Sequence, residues 1–247
     1  MTAVTHTAPQ RAITGDLPSV RLRATLAPFL PGLSRAGSAF WEHQDLRVLY
    51  PRYLVALHTV IRASVPLMRT ALEVTRDRYL DLPCGPPLAA YLDKHIGEEL
   101  WHDDWLLEDL DRLGVRPTAA TRHIPSPAVA AMVGSQYYHI HHVHPAVFLG
   151  YIAVLEGYPP SEDLARFAAD RTGYPITAFR TLRKHAHLDP QHCRDLDAAL
   201  DAIPVDGTLH GMIRANALAT LDYLKKLITE ITDGCIASRL EHELAGP

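Results

Sequence analysis

His185-Ala186-His187-Leu188-Asp189-Pro190-Gln191-His192, late in the chain, is the stretch from which fold and chemistry are read together. On a helix, a residue four positions on is rotated by only ~40° and one seven positions on by about −20°. His185, Asp189 and His192 then project from one face, two imidazoles bracketing a carboxylate. Such an edge suits iron, manganese or zinc. The plainer alternative is a solvated helix surface on which these residues fall together by chance. Pro190 lacks a backbone donor, so the helix is expected to loosen there.

Two further stretches offer what this edge lacks. A helix predicted from about Leu88 to Leu113, stopped by Gly114 with Pro117 beyond, carries His95, Glu98, Glu99, Trp101, His102, Asp103 and Asp104. Spacings of three and seven place Glu99, His102 and His95 on one face. Glu98, Asp103, Asp104 and Glu108 read as a solvated face, and Trp101, Trp105, Leu106 and Leu110 as the packing side. A third helix, opened by Pro125 and Pro127, is expected to continue to Gly157 and to close on Glu156 after an apolar run. A carboxylate there needs a partner if it is buried: a metal, an arginine, or simple exposure at the helix end. His142 and Tyr138 lie on a similar bearing; the rest of the His139 to His144 cluster reads as packing and surface.

The remaining pattern is helical. Leu49, Tyr53, Leu57, Val60, Ile61, Ser64, Val65 and Met68 form a stripe within a long segment, Leu46 to Leu82, that Pro66 should bend or break. His58 in this segment reads as a partly buried structural histidine or a ligand, and Glu73 is the nearest acid. Arg21 to Phe40 allows only short helices around Pro28 and Pro31. A short helix is expected over Ser161 to Thr172, and a last one from Gly207 to Leu244 with no ligand set. No strand alternation and no repeat occur. The expectation is a single all-α domain over residues 21–247 of about seven helices, preceded by a flexible leader, residues 1–20.

The 247 residues are 47% hydrophobic and 21% charged, a globular composition able to bury a core. A formal charge of −4 gives no basic surplus for nucleic acid or an anionic membrane. Cys84, Cys193 and Cys235 show no paired spacing, which argues against a disulfide framework or a Cys-based zinc site and fits a cytoplasmic location. Fifteen histidines are distributed through the predicted helices rather than gathered in a tag-like run.

Glu-x-x-His, a lone Glu and His-x-x-x-Asp-x-x-His on three helices amount to a six-ligand set of the kind that holds two irons, whereas a zinc hydrolase takes three ligands and water. In the order of these motifs, from about Leu46 to Leu224, the chain resembles the haem-oxygenase-like di-iron oxidases and oxygenases, a family of iron-containing redox enzymes. The resemblance implies a haem-oxygenase-like helical bundle binding two Fe(II) ions per chain, the second held less firmly, with O2 as co-substrate. It implies Glu99, His102 and His192 on one iron, and Glu156, His185 and Asp189 on the other. His95 is a further candidate ligand. Members often carry another Glu on the preceding helix; here Tyr53 to Leu67 has none, leaving His58, Glu73 or no residue in that role, and a mononuclear working form open. The implied activity is O2-dependent oxidation of a small amino-acid-like or fatty-acid-like substrate in specialised biosynthesis: N-oxygenation, desaturation or oxidative C–C cleavage. Expected partners are that substrate and an external electron donor, with a homodimer compatible and no membrane or nucleic acid. The alternative is the same fold without a di-iron centre: a haem- or thiamine-type enzyme, the latter needing a nucleophilic cysteine, or a non-catalytic binding protein. Arg62, Arg69, Arg180 and Arg183 are possible carboxylate clamps or plain surface residues.

Overall fold

A computed structural model describes residues 17–234. Most of the expected leader, residues 1–16, together with Cys235 and the end of the last predicted helix, lies outside the described residues. Helices α1 (Pro18–Leu26), α2 (Leu30–Trp41), α3 (Leu46–Ile61), α4 (Ser64–Arg78), α5 (Gly85–Glu99), α6 (His102–Arg112), α7 (Pro117–Arg122) and α8 (Pro127–His142) follow one another. After them come α9 (Leu149–Leu155), α10 (Leu164–Thr172), α11 (Arg180–Ala202) and α12 (Gly207–Thr232). Short 3-10 turns at Pro145–Phe148 and Ile176–Phe179 lead into α9 and α11, and no strand occurs among the described residues. Residues 18–20, assigned from sequence to the leader, form the first turn of α1. No helix among the described residues is long and apolar enough to cross a membrane.

Among the described residues the helices outnumber the seven expected because three long segments are each divided, because residues 18–41 form two helices, and because α7 adds a short one between two of those segments. The Leu46–Leu82 segment breaks at Arg62–Ala63, and Pro66 falls in the first turn of α4, where its missing donor costs little. The segment bearing Glu99 and His102 breaks between them, at Leu100–Trp101. The segment ending at Glu156 breaks at Val143–His144, before Pro145. Conversely, α11 runs unbroken through Pro190, contrary to the expected loosening.

Helix α12 is the central post, packed against α2, α8 and α9. Asp206 caps its start by accepting from the Leu209 amide at 2.7 Å. Its buried residues include Ile213, Ala217, Leu221, Leu227 and Ile231. Helix α9 approaches so closely that a Cβ on Gly150 would lie 2.2 Å from the Ile213 carbonyl oxygen, so only glycine fits. A buried amide pair ties α8 to α12: Gln136 Nε2 donates to Asn216 Oδ1 at 3.1 Å, and Asn216 Nδ2 donates to Gln136 Oε1 at 2.8 Å. Asn216 Nδ2 also donates to the Val147 carbonyl at 2.8 Å, which fixes the turn leading into α9. Helix α11 lies across α5, α6, α9 and α1, and this crossing brings the three candidate motifs together.

Candidate metal centre

Each candidate side chain is placed by an identifiable local cause. Glu99 is the last residue of α5 and His102 the first of α6. Trp101 between them is left-handed, with φ 72°, ψ 11°, and its side chain is 68% exposed rather than on the packing side. An L-residue held there costs ~1–2 kcal/mol. The kink re-aims His102, whose Nδ1 comes within 3.0 Å of Glu99 Oε2. Glu99 and His102 therefore meet across a break between helices, not on the shared face of one. Glu156 follows α9 as its C-cap and is drawn inside, its side chain 14% exposed. Asp189 and His192 face inward from α11, both buried.

The start of α11 has a cap that sequence reasoning missed. Buried Asp109, on α6, accepts from the amides of Arg180 at 3.0 Å and Thr181 at 2.8 Å. This satisfies two otherwise unpaired donors and sets a carboxylate at the positive end of the helix. One turn on, His185 Nδ1 donates to the Thr181 carbonyl at 2.9 Å, so its Nε2 keeps a free lone pair.

Four elements thus deliver His95, Glu99, His102, Glu156, His185, Asp189 and His192 to one place. His95 Nε2 donates to Glu156 Oε1 at 3.0 Å, and its Nδ1 lies 3.4 Å from Glu98 Oε2. Three carboxylate oxygens surround His192 Nδ1: Glu156 Oε2 at 3.4 Å, Glu99 Oε1 at 3.6 Å and Asp189 Oδ1 at 3.7 Å. All four of these atoms are buried and none has a hydrogen-bond partner. Burial without a partner costs ~1–3 kcal/mol per group and more for a charged one. Two donor atoms each ~2.1 Å from a common ion stand ~3.0 Å apart at a right angle and up to ~4.2 Å apart when opposite. The distances are too long for good hydrogen bonds and right for shared ligation, and the donor set of carboxylates and imidazoles suits iron. His95, Glu99 and Glu156 also present ligand atoms within 4.8 Å of one another, as do His95, Glu98 and His192. Glu98, read from sequence as solvated, is thus a candidate as well.

The electrostatics follow from crowding three acids in a poorly solvated space. Burial first, then Glu156 and Glu99, push the Asp189 carboxyl up to about 8. Burial also raises Glu156, with His95 opposing it. Burial works against ionised Glu99 too, but His102, His95 and His185 outweigh it and hold this carboxyl below its ordinary value. For His95, burial opposes the charge, yet Glu156 and Glu99 prevail and lift it to about 9. Burial lowers both His185 and His192, which favours the neutral imidazole that ligates.

The imidazoles sort into two groups. The His102 ring lies 5.2 Å from His185, with the Trp105 indole 4.0 Å away on another side. His95 lies 5.1 Å from His192, and His102 is 6.5 Å from His192. His58 is buried on α3 with Nδ1 unpartnered, and its charged neighbours are Arg62, Asp103 and Asp104. It takes part in none of the contacts that unite the other seven. Glu73 is exposed, as are Tyr138 and His142, so none of these three lines the centre. His144 instead packs on Tyr79, ring centroids 4.2 Å apart, and accepts from the Ala146 amide.

Against this cluster lies a cavity of 290 Å³. Glu99, Glu156, His185 and Asp189 form one wall; Leu33, Trp41, Tyr53, Leu57, Leu224 and Ile228 are among the residues of the others. No arginine, lysine or cysteine lines it among the described residues. Arg62 binds the carbonyls of Thr121 and His123, Arg180 pairs with Glu108, and Arg69 and Arg183 are exposed.

A family profile described as iron-containing redox enzyme matches residues 57–225, more than half of the chain. Among solved structures, a domain of unknown function with a heme oxygenase-like fold from Shewanella denitrificans OS217 is similar at a TM-score of 0.67 and 16% identity, over 90% of this chain and 91% of that one. A TenA homolog from Pseudomonas syringae pv. tomato DC3000 is similar at 0.67 and 16%, over 94% and 99%. These likenesses give the fold, the haem-oxygenase-like helical bundle that the family resemblance implies. A search of curated proteins finds no match.

Proposed function

Since the chain belongs to the iron-containing redox enzymes, we propose that it is a non-haem di-iron oxidase or oxygenase acting on a small, largely apolar substrate. The observation that carries this reading is the set of three partnerless carboxylate oxygens around His192 Nδ1. The ring distances support Glu99, His102 and His185 on one ion, and His95, His192 and Glu156 on the other, with Asp189 beside the second. This division differs from the one implied by the family resemblance, which paired His102 with His192. Iron bound there would supply one-electron chemistry and a binding place for O2.

The chain's own residues set the conditions. The Thr181 carbonyl fixes the His185 tautomer with Nε2 toward the centre. Trp105 covers the His102 ring and limits water on that side. Asp189 and Glu156, raised by burial, can each hold a proton at a carboxylate oxygen and give it up as positive charge arrives. The cavity walls bury an apolar substrate body next to Glu156 and His185, which fixes the reacting end by exclusion rather than by an ion pair. A thiaminase-type reaction draws no support, because Cys193 donates to the Glu156 carbonyl at 3.0 Å instead of lining the cavity.

Anaerobic Fe(II) loading followed by an O2-consumption screen of amino acids and fatty acids tests the reading. Close to two irons per chain and substrate-dependent O2 uptake are expected. Iron below one equivalent, with no uptake under any substrate, would refute it.

A further inference from the structure

Arg23, on α1, belongs to none of the ligand motifs, yet its guanidinium joins the two elements that carry two of the three. Nη1 donates to the Ala153 carbonyl at 3.1 Å, in the last turn of α9, three residues before Glu156. Nε and Nη2 donate to Asp197 Oδ1 at 3.2 and 2.8 Å; Asp197 lies on α11, five residues after His192 and eight after Asp189. The first contact satisfies one of the carbonyls that every helix end leaves open and places a cation at the negative end of α9. The second pins the same cation to the ligand-bearing helix.

Two neighbours show that the chain is shaped around this contact. A Cβ on Gly157 would lie 2.3 Å from Arg23 Nη1 and 2.0 Å from the Ala153 carbonyl oxygen, so a side chain there would expel the guanidinium. Cys193, next to His192, donates its thiol to the Glu156 carbonyl at 3.0 Å, tying the backbone of Glu156 to α11 a second time. Tyr158, a cavity residue, also neighbours the guanidinium.

We propose that Arg23 is the positioning residue of the metal centre, fixing Glu156 relative to Asp189 and His192 by bridging the end of α9 to α11. The inference rests on reading those three residues as ligands. Residues that orient ligands typically change metal affinity by ~10–100-fold when removed.

The test compares wild type, Arg23→Met, Arg23→Lys and Asp197→Asn by Co(II) titration, by the Co(II) visible absorption bands, and by hydrogen exchange of the metal-free proteins. Arg23→Met should weaken Co(II) binding about tenfold or more and alter the bands, with Arg23→Lys recovering most of both. Exchange should rise at residues 153–157 and 189–193 while α4 and α5 stay as in wild type. Asp197→Asn should reproduce part of the effect. Wild-type affinity and bands in Arg23→Met would overturn the proposal. So would exchange that rises evenly along the chain, with lysine no better than methionine. If wild type itself takes up no Co(II), the metal reading falls, and unchanged exchange at those two segments in Arg23→Met overturns the positioning role as well.

Discussion

Asp189 shows how a candidate ligand's usefulness and its cost come from the same surroundings. Buried beside Glu156 and Glu99, its carboxyl is pushed up to about 8, so the metal-free fold must carry either a proton or an uncompensated charge. Replacing it by asparagine keeps the shape and removes the charge. Thermal or denaturant unfolding of metal-free Asp189→Asn at pH 8 should show a gain of ~1–3 kcal/mol, while tight metal binding is lost. A loss of stability would mean that the carboxylate has a protein partner after all. The same protons set the pH dependence of loading. His95 holds its proton to about 9 and Asp189 to about 8, and both must be released to ligate. Apparent metal affinity should therefore climb between pH 6 and 9, by up to ~tenfold per unit for each proton displaced, as read by competition with a chelator of known affinity. A flat profile would remove these two residues from the ligand set. At Trp101 the issue is backbone strain. Trp101→Gly should leave stability within ~1 kcal/mol of wild type, because glycine accepts the left-handed angle and the indole packs on little, whereas Trp101→Val should destabilise. Equal melting temperatures for the two would contradict the assigned conformation.

At the scale of elements, helical periodicity was legible in the chain and the helix boundaries within it were not. Pro66 announced one break, and Pro145, the comparable sign in the third segment, stands just after the break that the structure shows. Nothing in Leu100-Trp101 signals a left-handed residue, because tryptophan has no preference for that conformation. Tyr53, Leu57, Val60, Ile61 and Ser64, part of the amphipathic stripe expected from sequence, line the cavity. An apolar pattern reports removal from water and does not distinguish a packed interior from a substrate chamber. Asp109 was hidden for a related reason: it caps α11 from 71 residues away in sequence, and no local motif encodes that pairing. Asp109→Ala should lower stability by ~1–3 kcal/mol, since it strands two amide donors at the start of α11. Asparagine should recover part of the loss. A melting temperature unchanged by alanine would show that the amides are satisfied otherwise.

Over the whole molecule, the bundle works as a device for crossing helices at one point. Helix α12 supplies the post, Gly150 lets α9 lie hard against it, and α11 crosses α5, α6 and α9 where their acids and imidazoles emerge. The fold class was readable because nothing in the chain alternates like a strand, and six residues could be named as candidates. His185, Asp189 and His192 came from helical spacing, Glu156 from its place at the end of an apolar run, and Glu99 and His102 from a spacing whose shared helix face the structure replaces by a kink. What spacing could not supply was their partition: His102 packs nearest His185, and His95 nearest His192, because the kink at Trp101 turns His102 away from the axis of α5. The central claim is that these residues form one metal centre inside the bundle. Anomalous diffraction at the iron edge, from crystals loaded anaerobically with Fe(II), addresses it directly. Two peaks are expected, bounded by His95, Glu99, His102, Glu156, His185, Asp189 and His192, each ~2.0–2.2 Å from carboxylate oxygen or imidazole nitrogen. Iron found only on the protein surface, with that cluster free of anomalous density, would contradict it.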